Sequence, residues 1–346
     1  MKKFKKIEFK NIWKFLQKKS YIVYTAIALA IVFFSFFCIY PKLKSNVQNT
    51  PKSYRGVLQI WNIDSFEGGK GSRTSFLQGV AKSFEKKQQG LFVLVTTHTV
   101  TSAKEALKKG ERPDILSYGT GCDFVADIAQ PLENLHYRAA TMHGKSYAYP
   151  WAVGQYVLIS FEDNFENIQP ENTVLSTNTN ALTTVAASSM GLNGNFAVQE
   201  STTAYSNFVN KKFKYLLGTQ RDIARLMSRN VTFYTKPIDS FSNLQQYISI
   251  TTTDNERKAA CQAYVELLLS KEVQEKLTQI GMMSLQHIIY TAENPLAKVE
   301  EKKPHWTISP FLEQERMQQL LSLAMQALNG DKNVAQNLQK FYILYL

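Results

Sequence analysis

The sequence predicts an α/β protein preceded by one N-terminal transmembrane helix. Three observations carry this. Residues 21–40 (YIVYTAIALAIVFFSFFCIY) hold only two residues outside the hydrophobic set, Thr25 and Ser35. From residue 57 to residue 117, short β-rich runs alternate with helical patterns in the order β-α-β-α-β, which implies a parallel sheet with right-handed crossovers. About 290 residues follow residue 54, enough for two lobes.

The apolar run comes first. Twenty helical residues at about 1.5 Å rise span roughly 30 Å, the thickness of a hydrocarbon core. Eleven of the twenty are Ile, Leu, Val or Phe, with no charge among them, so insertion is favourable. Residues 1–19 carry eight lysines and one glutamate. The positive-inside rule therefore places residues 1–20 in the cytoplasm and everything after residue 40 outside it. The run is longer than a cleaved signal needs, and no small-x-small pattern ends it. Cys38 follows bulky Phe37, which does not suit a lipid-modified cysteine. A retained, single-pass anchor in the cell membrane is expected.

The charge divides unevenly. Eight lysines against one glutamate give +7, and +12 less +7 leaves +5 for the other 327 residues. That balance excludes the concentrated basic face of a nucleic-acid binder. Outside the anchor, Cys122 and Cys261 are compatible with one disulfide, but their spacing does not require it. No paired His/Cys spacing suggests a metal, and no motif calls for a cofactor. The five histidines stand without triad or metal spacing.

Residues 41–54 (PKLKSNVQNTPKSY) are polar with two prolines and read as a linker. Residues 57–63 (VLQIWNI) form the first strand. Ser72 caps a helix whose Phe76, Val80 and Phe84 recur every four residues. Gly90 ends it, and residues 91–97 (LFVLVTT) form the second strand. Ser102 and Glu105 make a capping box for a short helix that Gly110 closes. Residues 114–117 (DILS) form the third strand, and residues 156–161 another. Residues 173–189, rich in Thr, Asn and Ser, give no clear pattern. Asn255–Leu269 and residues 270–280 read as consecutive helices, the second ended by Gly281, and Gln314–Leu328 as an amphipathic helix.

Ligands of open parallel sheets lie at the carboxyl ends of the strands. There stand two glycine-rich loops, residues 64–72 (DSFEGGKGS) and 118–123 (YGTGCD). The first is not a phosphate loop, because Lys70 is followed by Gly71 rather than Ser or Thr. It is either a flexible loop capped by Ser72 or a set of helix N-terminal amides facing a polar ligand group. Trp61, Phe66, Tyr118, Tyr149 and Trp151 sit beside polar loop residues, where aromatic faces stack on sugar C–H faces or pack the core. Trp61 is expected in the core and Trp151 against ligand. Asp64 and Glu67 are three apart, a weak basis for glycosidase chemistry without a second acidic cluster. Arg221 and Asp222 either pair on a solvated surface or line a cleft, where a guanidinium fork binds ligand oxygens.

In combination and in order, LQIWNIDSFEGGKGSR (58–73), SFLQGVAKSFEKK (75–87), ERPDILSYGTG (111–121), YPWAVGQYVL (149–158), YLLGTQRDIARL (215–226), SNLQQYISI (242–250) and AYVELLLSKEVQEKLTQIG (263–281) resemble the extracellular solute-binding proteins of ABC importers. The resemblance is in particular to the sugar-binding type of Gram-positive bacteria. The resemblance implies a two-lobed, periplasmic-binding-protein-like (type II) fold. Lobe 1 would hold residues 55–155 plus about 250–285, and lobe 2 residues 156–249 plus about 286–346. The chain would cross near 151–157, return near 247–250 and cross again after Gly281. Carried over to this sequence, the ligand-binding residues are Asp64, Ser65, Glu67, Gly68, Tyr118, Gly119, Thr120, Trp151, Thr219, Gln220 and Arg221. The expectation is a non-enzymatic, membrane-anchored protein that closes two lobes on a sugar and delivers it to ABC permease subunits. The alternatives are a ligand sensor for a membrane signalling partner and an anchored cell-wall glycan hydrolase.

Overall fold

The computed structural model describes residues 20–34, 54–64, 66, 68–178 and 180–346. The chain divides into two units, Met1–Ser53 and Tyr54–Leu346. In the first, helix α1 (Ser20–Phe34) runs for 15 residues without an acidic residue in its first turn or a basic one in its last. Among the described residues no helix is long and apolar enough to cross a membrane. Residues 35–40 of the expected span lie outside them, as does Cys38.

The second unit opens as the alternation predicts. Strand β1 (Gly56–Ile63), helix α2 (Arg73–Glu85), strand β2 (Leu91–His98), helix α3 (Val100–Lys108) and strand β3 (Ile115–Tyr118) follow one another. β1 lies between β2 and β3, parallel to both. The Ser72 hydroxyl accepts from the Ser75 amide at 3.2 Å and starts α2, which buries Leu77, Val80, Ala81 and Phe84. Helix α3 begins earlier than expected. Thr99 is extended and accepts from the Ser102 amide, while the Ser102 hydroxyl accepts from the Thr99 amide. Ser102 is therefore the third residue of the helix rather than its cap.

A short hairpin of β4 (Thr141–Met142) and β5 (Lys145–Ser146) leads to β6 (Tyr149–Val153). The chain then builds a second sheet from β7 (Tyr156–Ser160), β8 (Thr173–Thr177), β9 (Ala197–Glu200), β10 (Tyr215–Thr219) and β11 (Tyr234–Pro237). Helices α4 (Thr183–Ser189), α5 (Ser201–Val209) and α6 (Gln220–Met227) lie between its strands in sequence. The polar stretch 173–189 is thus a buried strand followed by a short helix. β12 (Gln245–Ile250) returns to the first sheet, whose order is β2-β1-β3-β12-β6, and the second runs β11-β7-β10-β8-β9. β6, β7, β10 and β12 are buried at every position, as strands inside a covered sheet must be.

After β12 come α7 (Asn255–Leu269), α8 (Lys271–Glu275) and a 3₁₀ turn, Lys276–Ile280. Gly281 ends the turn at φ +65°, a left-handed conformation natural to glycine. Helices α9 (Pro295–Glu301) and α10 (Gln314–Leu328) pack on α6 and α4 of the second lobe. Strand β13 (Trp306–Thr307), helix α11 (Ala335–Gln339) and strand β14 (Ile343–Leu344) complete the chain, with β14 antiparallel to β13.

Three crossings join the lobes. The first is Gly154-Gln155, between β6 and β7. The second is residues 238–244, between β11 and β12. This corrects the expected return near 247–250 and the lobe boundary at 249/250. Tyr247–Ile250 are already paired with β3, so the whole of β12 belongs to the first lobe. The third follows Gly281, where Met283 bridges Val153.

Candidate ligand-binding site

The loop after β1 rests on a buried polar network. Arg73, the first residue of α2, is 3% exposed, and its Nε lies 2.8 Å from Asp64 Oδ1. Its other nitrogens donate to Gln246 Oε1 at 3.1 Å and to the Phe66 carbonyl. The guanidinium also stands 4.5 Å from the Phe66 ring centre. Burial pushes this guanidinium below its ordinary value and Asp64 partly restores it; an arginine stays charged through such shifts. Gln246 donates onward to Asn62 Oδ1, the Ile63 carbonyl and Ser117 Oγ at 3.0–3.2 Å. Ser117 donates to Asn62 Oδ1 at 2.8 Å and accepts from Trp151 Nε1 at 3.1 Å. Every member is partnered, as burial in low dielectric requires. The network ties Asp64, Phe66 and Arg73 to the ends of β1, β3 and β12.

The second loop meets the other lobe through Asn243 of the second crossing. Thr120 Oγ1 donates to the Asn243 carbonyl at 3.2 Å. Tyr156 of β7 donates to Asn243 Oδ1 at 2.8 Å, and Asn243 Nδ2 donates to the Asn180 carbonyl at 2.9 Å. Two glutamines tie the crossings. The Gln155 amide N–H donates to Gln220 Oε1 at 3.0 Å, and Gln220 Nε2 lies 3.6 Å from Met282 Sδ. Gln155 Nε2 in turn donates to the Ile238 carbonyl at 3.0 Å. Gly154 permits this approach: a Cβ there would stand 2.6 Å from the Gln220 amide.

Between the lobes is a cavity of about 530 Å³. Lys70, Thr278, Gln279 and Gly281 line it from the first lobe, and Ala224, Met227, Ser228, Tyr290, Asn294 and Leu296 complete it. Helix α6 forms one wall. Its start is a capping box in which Thr219 accepts from the Arg221 amide while Asp222 accepts from the Thr219 amide at 3.0 Å. Burial raises the Asp222 pKa, against the opposing pull of the Thr219 hydrogen bond and Arg225, whose Nη1 is 3.3 Å away.

The predicted residues fall into distinct places. Asp64 is partly exposed and ion-paired, and Gly68 is half-buried near the Arg73 Nε. Ser65 and Glu67 lie outside the described residues. Tyr118 and Trp151 are both fully buried. Tyr118 shares a hydrogen bond with Ser249 Oγ and stacks on Tyr247, while Trp151 stacks on Phe76. Their rings are spent on the first lobe's core, contrary to the ligand contact expected for Trp151. Gly119 and Thr120 are buried against the second crossing, Thr219 caps α6, and Gln220 is committed to the crossings. Arg221 is half-exposed one turn ahead of the cavity-lining Ala224. None of the nine described ones is among the residues lining the cavity. Their immediate neighbours do: Lys70 on the first loop and Ala224 on α6.

Sequence reasoning passed over Arg73, Asn62, Gln246 and Asn243. The signal was present. Asn62 and Gln246 are amides inside strand runs, and such a residue, once buried, must find partners. Cys122 and Cys261 are both buried and free, which answers the open question of their pairing. Burial, and then Asp123, pushes the Cys122 thiol up to about 12.

No family model and no curated protein matches this sequence. Solved structures do. The sugar-binding protein MalE of the phytopathogen Xanthomonas citri superposes at TM-score 0.59 and 13% identity, covering 82% of this chain and 95% of that one. The GacH receptor of Streptomyces glaucescens, solved unliganded and with acarbose, gives 0.55 and 13%, covering 83% and 96%. An ABC substrate-binding protein of Listeria monocytogenes, solved with cycloalternan, gives 0.54 and 13%, covering 83% and 99%. At this identity the superpositions show a shared fold alone, a two-lobed α/β fold, and the coverage shows that both lobes take part.

Proposed function

We propose that this chain is an extracytoplasmic solute-binding protein that captures a carbohydrate for an ABC importer. The observation that carries the reading is the cavity between two five-stranded lobes joined by three crossings. Its volume lies within the range of small-molecule sites, roughly 300–1,000 Å³. The superposed proteins are binding proteins described with sugars or sugar-like ligands, which supports capture rather than catalysis. The hydrolase alternative loses support, because Asp64 is held by Arg73 and no carboxylate lines the cavity among the described residues.

Polar groups of both lobes bind the solute, the lobes close about the crossings, and the closed form docks on permease subunits. Residues 21–40 hold the protein in the cell membrane with the N-terminus in the cytoplasm and the lobes outside. The lysine asymmetry and the apolar composition of the run support this. Such a tether also suits a sensor that signals to a membrane partner.

Calorimetry with mono- and oligosaccharides, paired with small-angle scattering, tests capture. Saturable heat with a fall in radius of gyration is expected; neither response to any sugar would refute it. Protease added to intact cells should remove the lobes and spare residues 1–20.

A further inference from the structure

We propose that the foot of the first lobe carries a membrane-docking face, which rests on the anionic lipid surface of the bilayer that anchors the chain. This builds on the anchored reading of residues 21–40 and adds a second, reversible contact to it.

An apolar patch lies at the edge of the first sheet. β1 and β2 run in parallel register, with Val57 beside Phe92 and Gln59 beside Leu94. Side chains alternate along a strand, so these four share one face. Val57 is 46% exposed, Phe92 64% and Leu94 52%, while Leu58, Leu91 and Val95 on the other face are buried. Single exposed apolar residues are ordinary, but a contiguous set marks a contact surface.

The rim of the patch is basic. Arg55 lies against Gly90 at the foot of β2, where a Cβ on Gly90 would stand 3.4 Å from the Arg55 Cγ. The segments leading into β2 and β3, residues 86–90 and 108–112, expose Lys86, Lys87, Lys108, Lys109 and Arg112 against Glu111. The Asp114 amide donates to the Gln59 carbonyl at 2.8 Å, which brings the second segment alongside β1. Past β3 the foot is mixed, with Asp127, Asp254 and Glu256 as well as Arg257 and Lys258. Residues 41–53, outside the described residues, add Lys42, Lys44 and Lys52 and no acid.

A bilayer suits this face better than the other occupants. A second copy extending the sheet would need the outer amides of β2. The Val93 amide already donates to Glu85 Oε1 at 2.7 Å, and the Leu91 amide to the Gln88 carbonyl at 3.3 Å. A stable face-to-face dimer buries about 800 Å² per partner, and three partly covered side chains offer a fraction of that. Residues 41–53 hold only Leu43 and Val47 as large apolar residues, too few to cover the patch. A lipid surface takes a small apolar set at its headgroup boundary and attracts the basic rim. The thirteen residues 41–53 reach at most about 45 Å, so the foot stays within that distance of the anchor. Tethering makes the contact intramolecular, and it forms without a large area. The ligand-facing loops stand at the opposite ends of β1 and β3. The docked lobe therefore holds the cleft outward for loading and leaves the lipid to meet a permease.

The test places an environment-sensitive fluorophore at Gln59→Cys in the full-length protein, one copy per lipid nanodisc. Gln59 is exposed between the apolar residues, and Cys122 and Cys261 are buried. In phosphatidylglycerol discs the emission is expected to shift to the blue and iodide quenching to fall severalfold relative to the double variant Phe92→Asp/Leu94→Asp. The protection should weaken in phosphatidylcholine discs and as salt rises. Equal emission and quenching in parent and double variant would overturn the inference and leave the anchor standing. Protection that needs two copies per disc assigns the face to self-association and also overturns it. Protein that fails to enter the discs refutes the anchored reading and this inference together, whereas sugar capture is measured separately. Should the double variant melt below the parent, Lys108→Gln/Lys109→Gln decides instead: protection in phosphatidylglycerol must fall, and an unchanged signal overturns the inference.

Discussion

Arg73 sets the geometry of the first loop. It is the first residue of α2, yet its side chain turns inward to join Asp64, Phe66 and Gln246. Asp64 is partly exposed and rehydrates if the pair is broken; Gln246 is buried and does not. Arg73→Met should therefore destabilise by about 2–3 kcal/mol, chiefly from unpaired Gln246 Oε1 and the Phe66 carbonyl. Asp64→Asn should cost less than half of that. Urea unfolding of both variants measures it, and equal losses would show that the ion pair rather than the buried network matters. At this scale sequence reading named Asp64 correctly as a loop residue but missed its partner. Nothing in spacing reveals that an arginine next to a helix cap points into the core.

Elements show where local chemistry suffices and where it does not. The Ser72 cap and the helix Gln314–Leu328 follow from cap chemistry and apolar periodicity, both local properties. Helix α6 opens on a polar turn, and one of its polar residues, Asp222, is buried. The burial has a pH consequence. Asp222 keeps its proton more readily folded than unfolded, since its folded pKa is raised above the ordinary 3.8. Its contribution is then fully present below that value and is lost as pH rises through the folded pKa. Asp222→Asn retains an acceptor for the Thr219 amide and has no charge to bury. Melting temperature against pH should fall less steeply above pH 3.8 in this variant than in the parent. Identical slopes would show that the Asp222 charge is stabilised as well folded as unfolded.

The whole molecule joins two sheets through crossings that are tied by side chains as well as by chain. Gln155 and Gln220 link the first crossing to the second and third. Cys122 and Cys261 lie inside the first lobe, and burial holds both thiols protonated. They should react with a thiol reagent only on unfolding, not on lobe opening. In native buffer the two thiols are expected to label at least tenfold more slowly than in urea, with or without sugar. Rapid native labelling of either would place that cysteine on a mobile surface instead.

The sequence by itself determined the parallel β-α-β-α-β start, the positions of most helices and the two-lobed class. Each rests on hydrophobic periodicity, cap residues or the order of short motifs, which a chain carries wherever it folds. The tertiary structure decided which polar residues meet. It gave Gln246 to Arg73, Asn243 to Thr120 and Gln220 to Gly154, pairs separated by dozens to more than a hundred positions. It also turned Trp151 and Tyr118 inward and left the cavity to Lys70 and the α6 face. Burial and side-chain direction arise only when both lobes are packed, so residue types that suit a ligand and residue types that suit a core look alike until then.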